Sequence, residues 1–216
     1  MKIGFVGLGV MGFPMAGHLQ GSGHDVTVFN RSPAKSERWV ALYGGRSRPT
    51  PREAALEADL VCICVGNDDD VRSVVLGDDG VLAGLGPDSI LIDHTTASAR
   101  LARDLEGRAR ASRVGFLDAP VSGGQAGAEK GALTIMVGGR KDVFTRAEPV
   151  LHAYARCVRL LGPAGSGQLA KMVNQICIAG IVQALAEALQ FSQQAGLDTA
   201  AVVEVISQGA AQSWQM

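Results

Sequence analysis

The residues best suited to chemistry in this 216-residue chain fall in three groups: Gly7-Leu8-Gly9-Val10-Met11-Gly12, Asp118-Ala119-Pro120-Val121-Ser122-Gly123-Gly124 and Lys171-Met172-Val173-Asn174-Gln175. The first has the Gly-x-Gly-x-x-Gly spacing of a dinucleotide-phosphate loop. There Gly7 permits a sharp turn, Gly9 lets backbone N–H groups approach a pyrophosphate, and Gly12 lets a helix pack closely on a strand. The third places an ammonium and two amides on one side of a helix, because residues three and four apart are neighbours there. A lysine whose pKa is lowered by desolvation can take the proton of an alcohol as hydride leaves, and return it in the reverse reaction. Together the groups imply hydride transfer between a nicotinamide dinucleotide and a small hydroxy acid.

These groups need elements to position them. Met1 to Val6 is a short apolar run of the kind that forms a buried strand, and apolar residues at helical spacing follow from Met11 to Gln20. The helix amino end then faces the phosphates, where its unpaired N–H groups favour an anion. Further strands are expected at Asp25 to Phe29, Leu60 to Val65, Ser89 to Asp93, Val114 to Asp118, Leu133 to Gly139 and Cys157 to Leu161. Helical patterns fall between them, at Arg52 to Ala58, Asp69 to Leu76, Ser98 to Ala111 and Val143 to His152. The alternation predicts an α/β fold of Rossmann type, doubly wound around a mostly parallel sheet. Val65-Gly66-Asn67, Thr95-Thr96 and Pro120 to Gly124 all follow strand ends, so they should converge on one crevice.

The second strand ends in Asn30-Arg31-Ser32-Pro33, where the fingerprint of an NAD site calls for an acidic residue. Arg31 can instead pair with a 2′-phosphate, with Asn30 and Ser32 donating neutral hydrogen bonds. Lys35, Arg38, Arg46, Arg48 and Arg52 raise the local positive charge. The expected cofactor is NADP rather than NAD.

From Gly165 the texture changes. Gln168 to Gln193 lacks proline and is apolar on nearly every side, which predicts a long helix buried between domains or subunits. Lys171, Asn174, Gln175, Gln183 and Glu187 argue against a membrane span. A second helix is expected at Thr199 to Ser207. The domains expected are residues 1–164, dinucleotide-binding, and 165–216, the start of a helical substrate and dimerisation domain. A net charge of −1 without blocks of like charge points to neither nucleic acid nor a membrane surface as partner. The opening directly on a strand suggests a cytoplasmic protein. The four cysteines lack metal-ligand or disulfide spacing and read as apolar thiols.

At this point the chain resembles the β-hydroxyacid dehydrogenases, the group of 3-hydroxyisobutyrate dehydrogenase and tartronate semialdehyde reductase, related to 6-phosphogluconate dehydrogenase. The resemblance rests on Gly7 to Gly12 in its flanks Phe5 to Ala16, Asp93-His94-Thr95-Thr96, Asp118 to Gly124, and Gly167-x-x-x-Lys171-x-x-Asn174-Gln175. It implies that Lys171 is the catalytic acid/base and that Ser122, Gly123 and Gly124 bind the substrate carboxylate or hydroxyl. It also implies that Asn174 and Gln175 orient substrate and lysine, that Thr96 sits against the nicotinamide, and that Val65 and Gly66 lie beside the ribose and phosphates. Members often carry Leu-Pro or Met-Pro where Val65-Gly66 stands here. His94 reads as a packing or hydrogen-bonding residue. The family's helical C-terminal domain closes the site and mediates dimerisation, so a truncated version of that domain and a homodimer are expected. Imine reductases share the architecture but typically lack a lysine at the position of Lys171, and a non-catalytic dinucleotide-binding module is the other alternative.

Overall fold

A computed structural model describes residues 1–216. In chain order the elements are β1 (Lys2–Val6), α1 (Gly12–Gly21), β2 (Asp25–Phe29), α2 (Pro33–Tyr43), β3 (Arg46–Ser47), α3 (Pro51–Ala55), β4 (Leu60–Ile63), α4 (Asp68–Leu76), α5 (Val81–Gly84) and β5 (Ile90–Asp93). There follow α6 (Ala99–Ala111), β6 (Gly115–Asp118), β7 (Val121–Ser122), α7 (Gly124–Glu129), β8 (Leu133–Gly139), α8 (Lys141–Leu151), β9 (Ala155–Gly162), α9 (Ser166–Gln194) and α10 (Thr199–Ile206). Contacts divide the chain into two compact units, Met1–Lys171 and Met172–Met216.

The first unit is a doubly wound sheet. Its strands run in the order β3-β2-β1-β4-β5-β6-β8-β7, with β9 pairing β8. Strands β3 through β6 are all parallel; β8 is antiparallel to β6 and β7, and parallel to β9. Alternation along each strand feeds two cores, as period-2 side chains must. Ile3 and Phe5 of β1, Cys62 of β4 and Ile92 of β5 pack on one face with Met15, Leu19 and Trp39. Val6, Val61, Ile63 and Leu91 pack on the other with Val71, Leu101 and Leu105. Strand order reverses between β1 and β4, and there the carboxyl ends of the strands open a crevice.

The expected strands and long helices are present, and five short or polar elements are additional: α2, β3, α5, β7 and α7. Helix α2 carries Pro33 in its first turn and buries only Ser36 and Trp39, so its charged residues mask the periodicity.

In the second unit, α9 continues to Gln194 and α10 is capped by Asp198, whose carboxylate accepts from Ala200 N at 3.0 Å. By length and composition Ser166–Gln194 could cross a membrane. The expected burial of this helix is not supplied within the chain, because Val173 (62%), Ile176 (72%) and Phe191 (70%) are exposed. Most of so broad an apolar surface is left uncovered.

Candidate functional site

Gly7 closes β1 with φ of +98°, and a Cβ on it would meet the Cys64 carbonyl oxygen. A Cβ on Gly12 would likewise run into the Gly7 carbonyl oxygen. These two glycines therefore allow backbones to touch. Gly9 is different, since a Cβ there would find nothing within 4 Å, and the space it leaves is open to a ligand. The amino end of α1 has no side-chain cap and no acidic residue in its first turn, so its N–H groups are free to meet an anion.

This loop forms one wall of a cavity of about 860 Å³. Gly7, Gly9, Val10, Met11, Gly12, Asn30, Arg31, Ser32, Val65 and Gly66 line it, so ten of the twelve residues expected at the cofactor stand on it. Leu8 instead points into the core at 1% exposure, and Thr96 is exposed on the loop after β5. Asn30 has its amide engaged: Oδ1 accepts from Leu8 N at 2.9 Å and Nδ2 donates to Ser32 O at 3.1 Å. Its first task is to hold the glycine loop. Arg31 is free, with 92% side-chain exposure and a loose approach to Asp70 of 3.6 Å.

The charge around Arg31 differs from the expectation. Lys35 joins it on the cavity, but so do Asp70, Asp78 and Asp79. Arg38 stacks over the Phe13 ring at 5.4 Å, and Arg46 pairs with Asp25 at 2.6 Å in a separate depression that Arg48 also lines. Arginines near in sequence were drawn apart because β3 runs beside β2. Asp70 escaped the sequence reading, although three acids opening α4 were a visible signal for the first turn of a helix.

The chemistry-bearing group lies where α9 begins. Lys171 is 9% exposed, and burial lowers its pKa from the ordinary lysine value. Its Nζ donates to the Val121 carbonyl oxygen at 2.8 Å, next to Ser122 on β7. Gly123 and Gly124 follow with φ of +134° and +61°, conformations that favour glycine, and nothing lies within 4 Å of a Cβ on Gly124. Both glycines and half-buried Ser122 thus present polar groups near the lysine. Asn174 and Gln175 lie in the second unit, one turn further along α9, where Asn174 Nδ2 donates to Gln175 Oε1 at 3.0 Å.

Beneath the strand ends lies a buried polar layer in which the sequence reading gave a structural role to His94 alone. Asp118 accepts from Gly165 N at 2.7 Å and Gln168 N at 2.9 Å, closing the amino end of α9. Burial pushes its carboxyl above the usual carboxylate range, against the pull of these N–H donors. Asp93, fully enclosed, is pushed up to about 7 by burial while accepting from Thr95 N at 2.8 Å. His94 is pushed down to about 4 by burial. Its Nδ1 donates to Ala119 O at 2.7 Å, so its Nε2, 2.8 Å from the Tyr154 hydroxyl, must be the acceptor. His94 is a neutral hydrogen-bonding residue of the core.

A glycine turn at the switch point of a parallel sheet, with a buried lysine of α9 held against the end of β7, fits a dinucleotide-dependent oxidoreductase of Rossmann type. Residues 2–162 match the NAD binding domain of 6-phosphogluconate dehydrogenase, and residues 165–216 match the family described as NAD-binding of NADP-dependent 3-hydroxyisobutyrate dehydrogenase. The chain belongs to the 3-hydroxyisobutyrate dehydrogenase family of β-hydroxyacid dehydrogenases, NAD(P)-dependent oxidoreductases acting on CH–OH groups. It is 61% identical to an uncharacterized oxidoreductase of Shewanella frigidimarina, over 100% of this chain and 74% of that one. It is 37% identical to the 3-hydroxyisobutyrate dehydrogenase of Pseudomonas aeruginosa, over 99% of this chain and 72% of that one. The solved Mycobacterium tuberculosis 3-hydroxyisobutyrate dehydrogenase with L-serine matches at a TM-score of 0.90 and 36% identity, covering 99% of this chain and 72% of that one.

Proposed function

We propose that this enzyme prefers NADP and moves a hydride between the nicotinamide and a small β-hydroxy acid or its semialdehyde, with Lys171 as acid/base. The observation that carries this reading is the buried, desolvated Lys171 held by Val121 O beside Ser122 and Gly123. The dinucleotide, when bound, supplies or accepts the hydride at its nicotinamide ring. In oxidation Lys171 takes the hydroxyl proton, and in reduction it gives a proton to the carbonyl oxygen, which takes the C=O π pair as the hydride bonds to the carbonyl carbon. Desolvation brings its pKa nearer neutrality, which a proton shuttle working near neutral pH requires. Ser122 and the backbone N–H groups of Gly123 and Gly124 hold the substrate's carboxylate. Asn174 and Gln175 keep the orienting role the resemblance implies.

Three further observations support the class and the cofactor. Gly9 leaves room for a pyrophosphate at the uncapped end of α1. Arg31 is exposed on the cavity and free to pair with a 2′-phosphate. The Mycobacterium tuberculosis relative was solved with L-serine, itself a small β-hydroxy acid. The apolar side chains exposed on α9 favour a homodimer, which the mass of the protein in solution tests.

NADPH oxidation over a panel of semialdehydes, keto acids and cyclic imines tests the reading. Turnover is expected with semialdehydes, and Lys171→Ala should lower kcat by about 10² or more with NADPH affinity retained. Turnover confined to imines, or a Lys171→Ala enzyme with near-normal kcat, sinks it.

A further inference from the structure

One turn of α9 reaches three strand ends at once. Asp118, the last residue of β6, accepts from the backbone N–H of Gln168, and Lys171 Nζ donates to Val121 O on β7. The third tie is made by the Gln168 side chain. Its Nε2 donates to Thr95 O at 2.7 Å, and its Oε1 accepts from Ala97 N at 3.0 Å. The two bonds fall on the peptide groups either side of Thr96. Gln168 is 1% exposed, so this amide is committed in full to that loop. Buried amides are costly without partners, and a residue needed only to pack would more simply be apolar.

The loop is fixed from its other sides as well. Thr95 N donates to Asp93 Oδ1 at 2.8 Å, and Thr95 Oγ1 accepts from Val65 N at 3.0 Å, joining the loop to the Val65-Gly66 wall of the cavity. Helical spacing puts Gln168 and Lys171, three residues apart, on the same side of α9.

We propose that Gln168 is a positioning residue that sets the spacing between the Thr95–Ala97 loop, whose Thr96 the family resemblance puts against the nicotinamide, and Lys171, at the reacting hydroxyl. This rests on the function proposed above. Hydride transfer needs the donor carbon and the proton donor held in fixed relation to one substrate, and a displacement of an ångström is enough to slow it. Gln168 touches neither reactant, and acts by holding the loop and the helix in register.

Gln168→Met keeps the shape and removes both side-chain hydrogen bonds. In the full chain it should lower kcat tenfold or more, leave the NADPH dissociation constant within twofold, and raise the primary isotope effect with NADPH deuterated at the transferred position. Amide exchange at Ala97 should accelerate while that at Gly165, held by Asp118, stays protected. A kcat within threefold of wild type overturns the proposal. So does a loss of kcat that merely tracks losses of melting temperature and NADPH affinity. Should the wild type turn over none of the panel, the proposed function fails by itself. Exchange at Ala97 then still decides the role of Gln168, and an unchanged rate removes it.

Discussion

The amino ends of α1 and α9 open onto the same side of the sheet and are finished in opposite ways. Helix α1 leaves its first N–H groups without a side-chain cap, behind a glycine whose missing Cβ leaves open space. Helix α9 has its first N–H groups taken by the buried carboxylate of Asp118. An unsatisfied helix start must be met by a side chain, water or a ligand, and its partial positive charge favours an anion. At α9 the anion is part of the protein, and the helix is fixed before any ligand arrives. At α1 the anion must come from outside. The difference separates an end that fixes the helix bearing Lys171 from one left open to a ligand.

Breaking the closed end should have the larger effect on the fold. Asp118→Ala strands the buried N–H groups of Gly165 and Gln168, and should cost roughly 2 to 4 kcal/mol in a denaturant melt. A loss under 1 kcal/mol would mean that water or a shifted carbonyl takes over the cap. At the open end, Gly9→Ala should leave stability unchanged, because a Cβ there meets no protein atom. NADPH affinity should fall about tenfold, or about 1.4 kcal/mol, as the methyl enters the space of the phosphates. An unchanged affinity with an unchanged melt would show that the phosphates approach elsewhere. The smallest effect is expected at the rim of the same cavity. Arg31→Ala should lower the NADPH-to-NADH affinity ratio about fivefold, as removal of an exposed charged contact to a phosphate suggests. Asp70→Asn, by removing the competing carboxylate 3.6 Å away, should move the ratio the other way. Ratios that stay put in both variants would end the case for NADP.

The contrast also explains how far the sequence could be read. The open end was legible because its chemistry is local: strand, Gly7-x-Gly9-x-x-Gly12 and helix follow one another within a few residues. The strands around it were legible for the same reason, as short apolar runs between turns. Closure of α9 was not, because Asp118 and Gln168 are 50 residues apart and meet only after β6, β8 and β9 have paired. Periodicity finds β8 but is silent on its running antiparallel to β6. Residue type gave Asn30 two donors and an acceptor without showing that Leu8 and Ser32 would engage them. Gln168 did leave a trace, as a polar side chain three residues before Lys171 on an otherwise apolar helix. Only the bonds either side of Thr96 show what the trace means.

Cys64 lines the dinucleotide cavity and Cys62 lies just behind it, a placement that would expose many enzymes to oxidative inactivation. Burial pushes both thiols up to about 12. The reactive thiolate of each is correspondingly disfavoured at neutral pH. Cys177 on α9 is instead exposed within the single chain, on the helix whose apolar side chains the proposed homodimer would cover. The apolar packing that builds the sheet therefore also blunts the reactivity of the two cysteines nearest the cavity.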